Sequence, residues 1–184
     1  MFPDNKDRLY LALYARGGMP TMPGREDAYH WALIVASKTN PDDDRQAIRF
    51  HAKESMSADS SPPRLVWAYE EQQIDRGPQY MLLTRVIIGK VLDKGRLRSI
   101  IGGIPVRPET PGWNCVGWVR EAVDAVLRDD RALGTTVETW AEVKDTAMHY
   151  IEAKRASHRF DGQGKLSGGT AATWDMLQNK EVIP

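Results

Sequence analysis

Two stretches, Leu9-Tyr10-Leu11-Ala12-Leu13-Tyr14 and His30-Trp31-Ala32-Leu33-Ile34-Val35, set the reading of this chain. Both are apolar and aromatic runs, and glycine and proline turns lie between them, so both read as strands. Three more runs follow, Ala47 to Lys53, Leu65 to Glu70 and Met81 to Ile88. They are separated by Pro41-Asp42-Asp43-Asp44, Ser60-Ser61-Pro62-Pro63 and Arg76-Gly77-Pro78. Short strands with short connections predict an antiparallel meander of about five strands.

After Gly89 the period changes. Leu92, Leu97, Ile100 and Ile101 recur at roughly helical spacing until Gly102-Gly103, which predicts a short helix. Asn114 is a good N-cap, and Val116, Val119, Ala122, Val123, Val126 and Leu127 supply the apolar stripe of a second helix that ends before Gly134. A third is expected from Val137 to Lys154, with Trp140, Val143, Ala147, Tyr150 and Ile151 on one face. From about His158 the chain reads as a loop-rich extension whose Trp174, Met176, Leu177, Val182 and Ile183 pack back on the body. Strands followed by helices define an α+β class, and 184 residues without a repeat or long linker suit one domain over 1–184.

Lys plus Arg and Asp plus Glu each number 25, so no global field gathers phosphate backbones, and nucleic acid is not an expected partner. No apolar run reaches bilayer-spanning length and the N-terminal residues lack a secretory pattern, so no transmembrane segment and a cytoplasmic location are expected. One cysteine, Cys115, excludes an intramolecular disulfide and leaves either a packed thiol or a working one.

Cys115 follows the proposed cap Asn114 at a helix start, where free N–H groups and the helix dipole favour a thiolate and can also hold an oxyanion. A low-pKa thiol is the resulting expectation. His30 and His51 lie in strands; if those strands are neighbours, the two imidazoles can stand side by side, one as base and the other fixing its tautomer. Trp113 adjoins Cys115 and is the tryptophan expected to line a substrate pocket, with Asn114 beside it. His149 and His158 read as solvated or capping residues. Asp42-Asp43-Asp44 reads as a solvated turn rather than a metal loop, and Asp161-Gly162-Gln163-Gly164-Lys165 with Gly168-Gly169 lacks the complete phosphate-loop pattern.

These residues carry a resemblance. Tyr29-His30-Trp31-Ala32-Leu33-Ile34-Val35, then Phe50-His51-Ala52, then Asn114-Cys115 resembles the His-Trp-Ala strand, second-His strand and Asn-Cys helix of the lecithin retinol acyltransferase-like and H-Ras-suppressor-like phospholipase/acyltransferases. Those are circularly permuted papain-like relatives of the NlpC-type peptidases, and the PPPDE deubiquitinase-like peptidases share the His-before-Cys order. The chain departs from the acyltransferases in carrying Asn114-Cys115-Val116-Gly117-Trp118 where they have Asn-Cys-Glu-His-Phe. Taken whole, it also resembles a group of filamentous-fungal proteins, a likeness that names no substrate.

The resemblance implies a permuted papain-like fold with Cys115 as nucleophile, His30 as base and His51 as orienter. It implies a cysteine-dependent hydrolase or acyltransferase that opens an amide, ester or thioester of a small-molecule, lipid-like or peptidyl acyl substrate. No cofactor is required for that chemistry. Two alternatives stand beside it: a binding or scaffold protein without turnover, and a mononuclear metal site using Cys115 and the two histidines.

Overall fold

The computed structural model describes residues 7–38, 47–74, 81–163 and 170–184. The Pro41–Asp44 turn, the Arg76-Gly77-Pro78 break and the Gly164, Lys165, Gly168 and Gly169 part of the glycine-rich stretch lie outside those residues. Five long strands come first: β1 Asp7–Ala15, β2 Tyr29–Ser37, β3 Ile48–Ser57, β4 Arg64–Gln73 and β5 Leu82–Val91. Helices α1 Lys94–Gly102 and α2 Cys115–Arg128 follow, then β6 Leu133–Thr136, α3 Trp140–Ala156, β7 Ala172–Asp175 and β8 Lys180–Ile183.

The sheet corrects the expected architecture. It has eight strands in the order β4-β3-β2-β1-β5-β7-β8, with β6 paired separately to β5, and it is mixed, because β7 runs parallel to β5. The five-stranded antiparallel meander is therefore replaced by a larger sheet, although the class stays α+β. β5 does not continue from β4 but returns to pair antiparallel with β1, and the chain from β5 to β7 passes through all three helices before adding a parallel strand. β6, β7 and β8 have four residues each, too few for an alternating pattern to stand out from a loop. Gly89 is explained by this addition. A Cβ there would stand 2.8 Å from Leu133 Cδ1, so the glycine lets β6 close on β5.

Alternation along the strands sorts the core. Leu11, Leu13, Trp31, Leu33, Val35, Phe50 and Ala52 face the helices in one large cluster, while Tyr10, Ala12, Tyr14, Ala32 and Ile34 form a second cluster on the other face. Helix α2 sits on β2 and β3. Its buried stripe of Cys115, Val116, Trp118, Val119, Ala122, Val123 and Val126 secures it there, each large side chain contributing about 1.5–3 kcal/mol of burial. Trp118 tilts against Tyr69 at 5.7 Å, and Trp31 against Trp140 of α3 at 5.7 Å. No helix among the described residues is long and apolar enough to cross a membrane.

Candidate active site

β2 and β3 pair only at Leu33–Phe50, Ile34–Arg49 and Val35–Ile48. Beyond these pairs, toward Tyr29 on β2 and Ser57 on β3, no pairing joins the two strands among the described residues, and the imidazoles of His30 and His51 bridge the gap. His30 Nε2 and His51 Nδ1 are 2.7 Å apart, with ring centroids at 5.0 Å and planes at 72°. β4 supplies the next member. Glu70 is the cross-strand partner of His51, and its Oε2 lies 2.8 Å from His51 Nε2. Lys53 holds the other oxygen at 2.5 Å.

This chain of contacts has a direction. Glu70 is ionised, its pKa lowered to about 2 by hydrogen bonds from Lys53 and His51, so it only accepts. His51 Nε2 therefore carries the donated proton. Burial pulls the His51 pKa down, against the opposing influence of Glu70, so the ring is neutral near pH 7 and its Nδ1 bears a lone pair. His30 Nε2–H must then donate to His51, which leaves His30 Nδ1 as a bare acceptor. His30 is itself lowered to about 3, first by burial and then by His51, Arg49 and Arg16, and its neutral form is the only one that matters near pH 7.

Cys115 is the first residue of α2, and Asn114 caps the helix by accepting from Val116 N at 2.9 Å and Gly117 N at 3.4 Å. Two of the amides expected to serve an oxyanion are thus occupied by the cap. The Asn114 amide also reaches Met22 Sδ at 3.6 Å, which brings the β1–β2 connection over the helix start. Asp27 fixes that connection by accepting from Thr21 N and Oγ1, both at 2.8 Å, and from Met22 N at 3.0 Å.

The Cys115 side chain is fully buried, with 0% exposure. It packs in the helix-side cluster, whereas His30, paired with Tyr14, lies on the other face of the sheet. No hydrogen bond joins Cys115 to either histidine among the described residues. The two sides come closest around Trp31, the residue after His30, whose backbone amide favours the thiolate of Cys115. The low-pKa expectation is corrected: burial pushes the thiol up, and it outweighs the opposing pull of the Trp31, Cys115 and Val116 amides and of Arg16. The resting pair is therefore neutral thiol and neutral imidazole.

Trp113 stands edge-on to Trp67 at 5.5 Å and 85°, with Gly117 beneath it close enough that a Cβ there would touch its ring at 3.4 Å. It is half-buried beside the helix start. Among the described residues no three His, Cys, Asp or Glu side chains stand together in a way that can hold a metal ion. Glu70, Lys53 and Arg16 are the participants that sequence reading missed. The charged residues of β4 were visible, but only the register that puts Glu70 opposite His51 gives one of them a role.

An α+β protein with an eight-stranded mixed sheet, a His-His-Glu relay across a gap between strands and a cysteine at a neighbouring helix start is the class that these observations define. The chain belongs to a family described as of unknown function, DUF6914, whose family model matches residues 6–183. No curated protein and no solved structure matches it.

Proposed function

We propose that this protein is a cysteine-dependent hydrolase or acyltransferase that opens an amide, ester or thioester bond through an acyl-enzyme on Cys115. The observation that carries the reading is the directional relay Glu70–His51–His30, which leaves His30 Nδ1 unprotonated one residue before Trp31, whose amide favours the Cys115 thiolate. The likeness of the His30, His51 and Asn114-Cys115 segments to the permuted papain-like enzymes supports the same roles.

The step balances without a cofactor. Local opening of the helix start is needed first, because the buried thiol and His30 lie on opposite faces of the sheet at Trp31; once it brings them together, the Cys115 S–H proton passes to His30 Nδ1 as the sulfur forms a bond to the substrate carbonyl carbon. His51 and Glu70 stabilise the imidazolium that results, in the manner of a triad acid. Collapse of the tetrahedral intermediate expels the amine, alcohol or thiol, which takes the proton from His30. Water or another acceptor then gives its proton to His30 and attacks the thioester, returning the thiol. Because the resting pair is neutral, proton transfer accompanies attack rather than preceding it. Trp113 and Asn114, which precede Cys115 in sequence, are the residues assigned to contact the acyl group in this reading.

A binding or scaffold role without turnover is the second reading. It is favoured by the complete burial of Cys115 and by the lack of a hydrogen bond from it to His30. Rates for a panel of chromogenic acyl esters, thioesters and peptidyl anilides separate the two. Turnover that Cys115→Ala abolishes supports the enzyme, and equal background rates for both proteins support the scaffold.

A further inference from the structure

Strands β2 and β3 diverge soon after they pair. The register of Leu33–Phe50, Ile34–Arg49 and Val35–Ile48, if continued, would set Trp31 opposite Ala52 and Tyr29 opposite Glu54. Neither pair forms, although β2 runs back to Tyr29 and β3 runs on to Ser57. β1 holds the far side of β2 as far as Tyr29, and β4 holds the far side of β3 as far as Ser57. The side of β3 that faces β2 therefore has no strand beside it from Ala52 to Ser57 among the described residues, and no described loop or turn bonds to its backbone.

The resulting wedge narrows toward the candidate reaction centre. His30 and His51 close its apex, and α2, which begins at Cys115, lies on both strands. The two faces of the β3–β4 ribbon differ in character. Ala52, Met56 and, on β4, Trp67 and Leu65 face the helix side, whereas Lys53 and Ser55 face the other. Met56 and Leu65 are cross-strand partners, and each is 61% exposed. They continue the apolar face outward from Trp67, whose contact with Trp113 ties the ribbon to the helix start. A row of open main-chain N–H and C=O groups is complemented by another main chain, whose donors and acceptors recur at the same spacing, and an aliphatic acyl chain offers neither.

We propose that the β3 edge from Ala52 to Ser57 takes up an extended polypeptide segment as an added strand, so that the substrate class of this protein is a peptide main chain. Apolar side chains of the segment, at alternate positions, rest beside Met56 and Leu65, and the polar ones between them lie beside Lys53 and Ser55. Arg16, which follows the Tyr29 partner Ala15, reaches Glu54 across the mouth of the wedge. That ion pair is long, at 3.9 Å, and part-exposed, so it gives way to an entering strand. Delivery of the segment to Cys115 rests on the cysteine-hydrolase reading, whereas the strand addition itself does not.

The probe is the capped peptide acetyl-Lys-Val-Thr-Leu-Lys-Val-amide, and its control is the same peptide N-methylated at every residue, which cannot complete a ladder. Both are titrated into full-length Cys115→Ala, where binding is read without turnover. The parent peptide is expected to bind with a dissociation constant below ~1 mM, to shift the amides of Ala52 to Ser57, and to slow hydrogen exchange of alternate ones about tenfold or more. The N-methylated control should bind at least about tenfold more weakly, and so should the parent when Met56→Lys and Leu65→Lys are added at these exposed sites. The proposal is overturned if the parent does not saturate, if its shifts fall outside Ala52 to Ser57, if the control binds equally, or if the lysine variant, shown folded by its amide spectrum, binds as before. Strand addition without any adduct on wild-type Cys115 upholds this site and removes the enzyme reading. An acyl adduct on Cys115 without strand addition does the reverse.

Discussion

His30 Nε2 lies 2.7 Å from His51 Nδ1, and because His51 Nε2 is engaged by an ionised Glu70, the proton in the first contact belongs to His30. A carboxylate two side chains away thereby fixes which nitrogen of His30 is free. Neither histidine alone has that property, since an isolated neutral imidazole chooses between two tautomers.

The tautomers are directly observable. In long-range 1H–15N spectra near pH 7, His30 and His51 should each show a protonated Nε2 and a bare Nδ1. Glu70→Ala should release both rings into tautomer mixtures. A His30 protonated at Nδ1 in the wild type is incompatible with its role as base toward Cys115.

Substitutions along the relay should act in graded order on kcat/KM. His30→Ala removes the base and should cost about 100-fold or more. His51→Gln and Glu70→Ala leave the base present but poorly oriented, and about a tenfold loss each is expected, with partial recovery in Glu70→Asp or Glu70→Gln. Equal losses at His30 and His51 in folded proteins would exchange their roles.

The pH behaviour follows from the lowered histidines. His30 stays neutral down to about 3, so the acid limb of kcat/KM should fall well below the ordinary histidine range near 6.5. The sign for stability is the same for His30, His51 and Glu70. Each binds its proton more readily unfolded than folded, so each favours the fold at higher pH. His30 contributes stability that is present above about 6.5 and is lost as pH falls toward 3, and Glu70 adds a loss from about 4.5 toward 2. Denaturant melts from pH 7 to 4 should show falling midpoints, and His30→Gln should flatten the slope. A midpoint that rises on acidification contradicts the assignment.

Much of the scaffold was legible in the residues. Strand runs such as Leu9 to Tyr14 and His30 to Val35, and the Asn114 cap, each lie within an element or at a boundary that the backbone confirms, because their signals are local. The sheet size was not legible. Leu133–Thr136, Ala172–Asp175 and Lys180–Ile183 become strands only because β5 offers them an edge and, for β6, because Gly89 makes room. The His30–His51 pairing was readable from strand adjacency, whereas Glu70 required a register that no turn signal specified. The direction of the Cys115 shift was missed for a different reason. The helix start favours a thiolate, but the helix-side core cluster that buries the sulfur is a tertiary effect.

Burial also governs access to the thiol. Iodoacetamide should modify Cys115 more slowly than a free thiol at pH 7, with a profile moved above the ordinary value of about 8.5. Asp27→Ala removes the carboxylate that ties Thr21 and Met22 over the helix start. Labelling should then quicken about tenfold through local opening while the melting midpoint changes little. Fast labelling of the wild type at neutral pH would contradict the closed geometry.

Asn114 has a structural role separable from chemistry. Asn114→Ala should cost about 1 kcal/mol through loss of the cap to Val116 and Gly117, and Asn114→Ser or Asn114→Asp should restore most of it. Equilibrium denaturation in urea measures this, and a neutral Asn114→Ala would show that the cap contributes nothing.

The central claim is tested most directly by trapping the acyl-enzyme. The protein is incubated with a panel of activated acyl esters, acyl thioesters and peptidyl aldehydes, and its intact mass and the modified peptide are read by mass spectrometry. The account predicts a single stoichiometric adduct on Cys115 with at least one probe class, slowed about 100-fold or more in His30→Ala and absent in Cys115→Ala. Adducts that persist in Cys115→Ala, or a folded wild type that forms none with any class, would contradict it and leave the scaffold reading in its place.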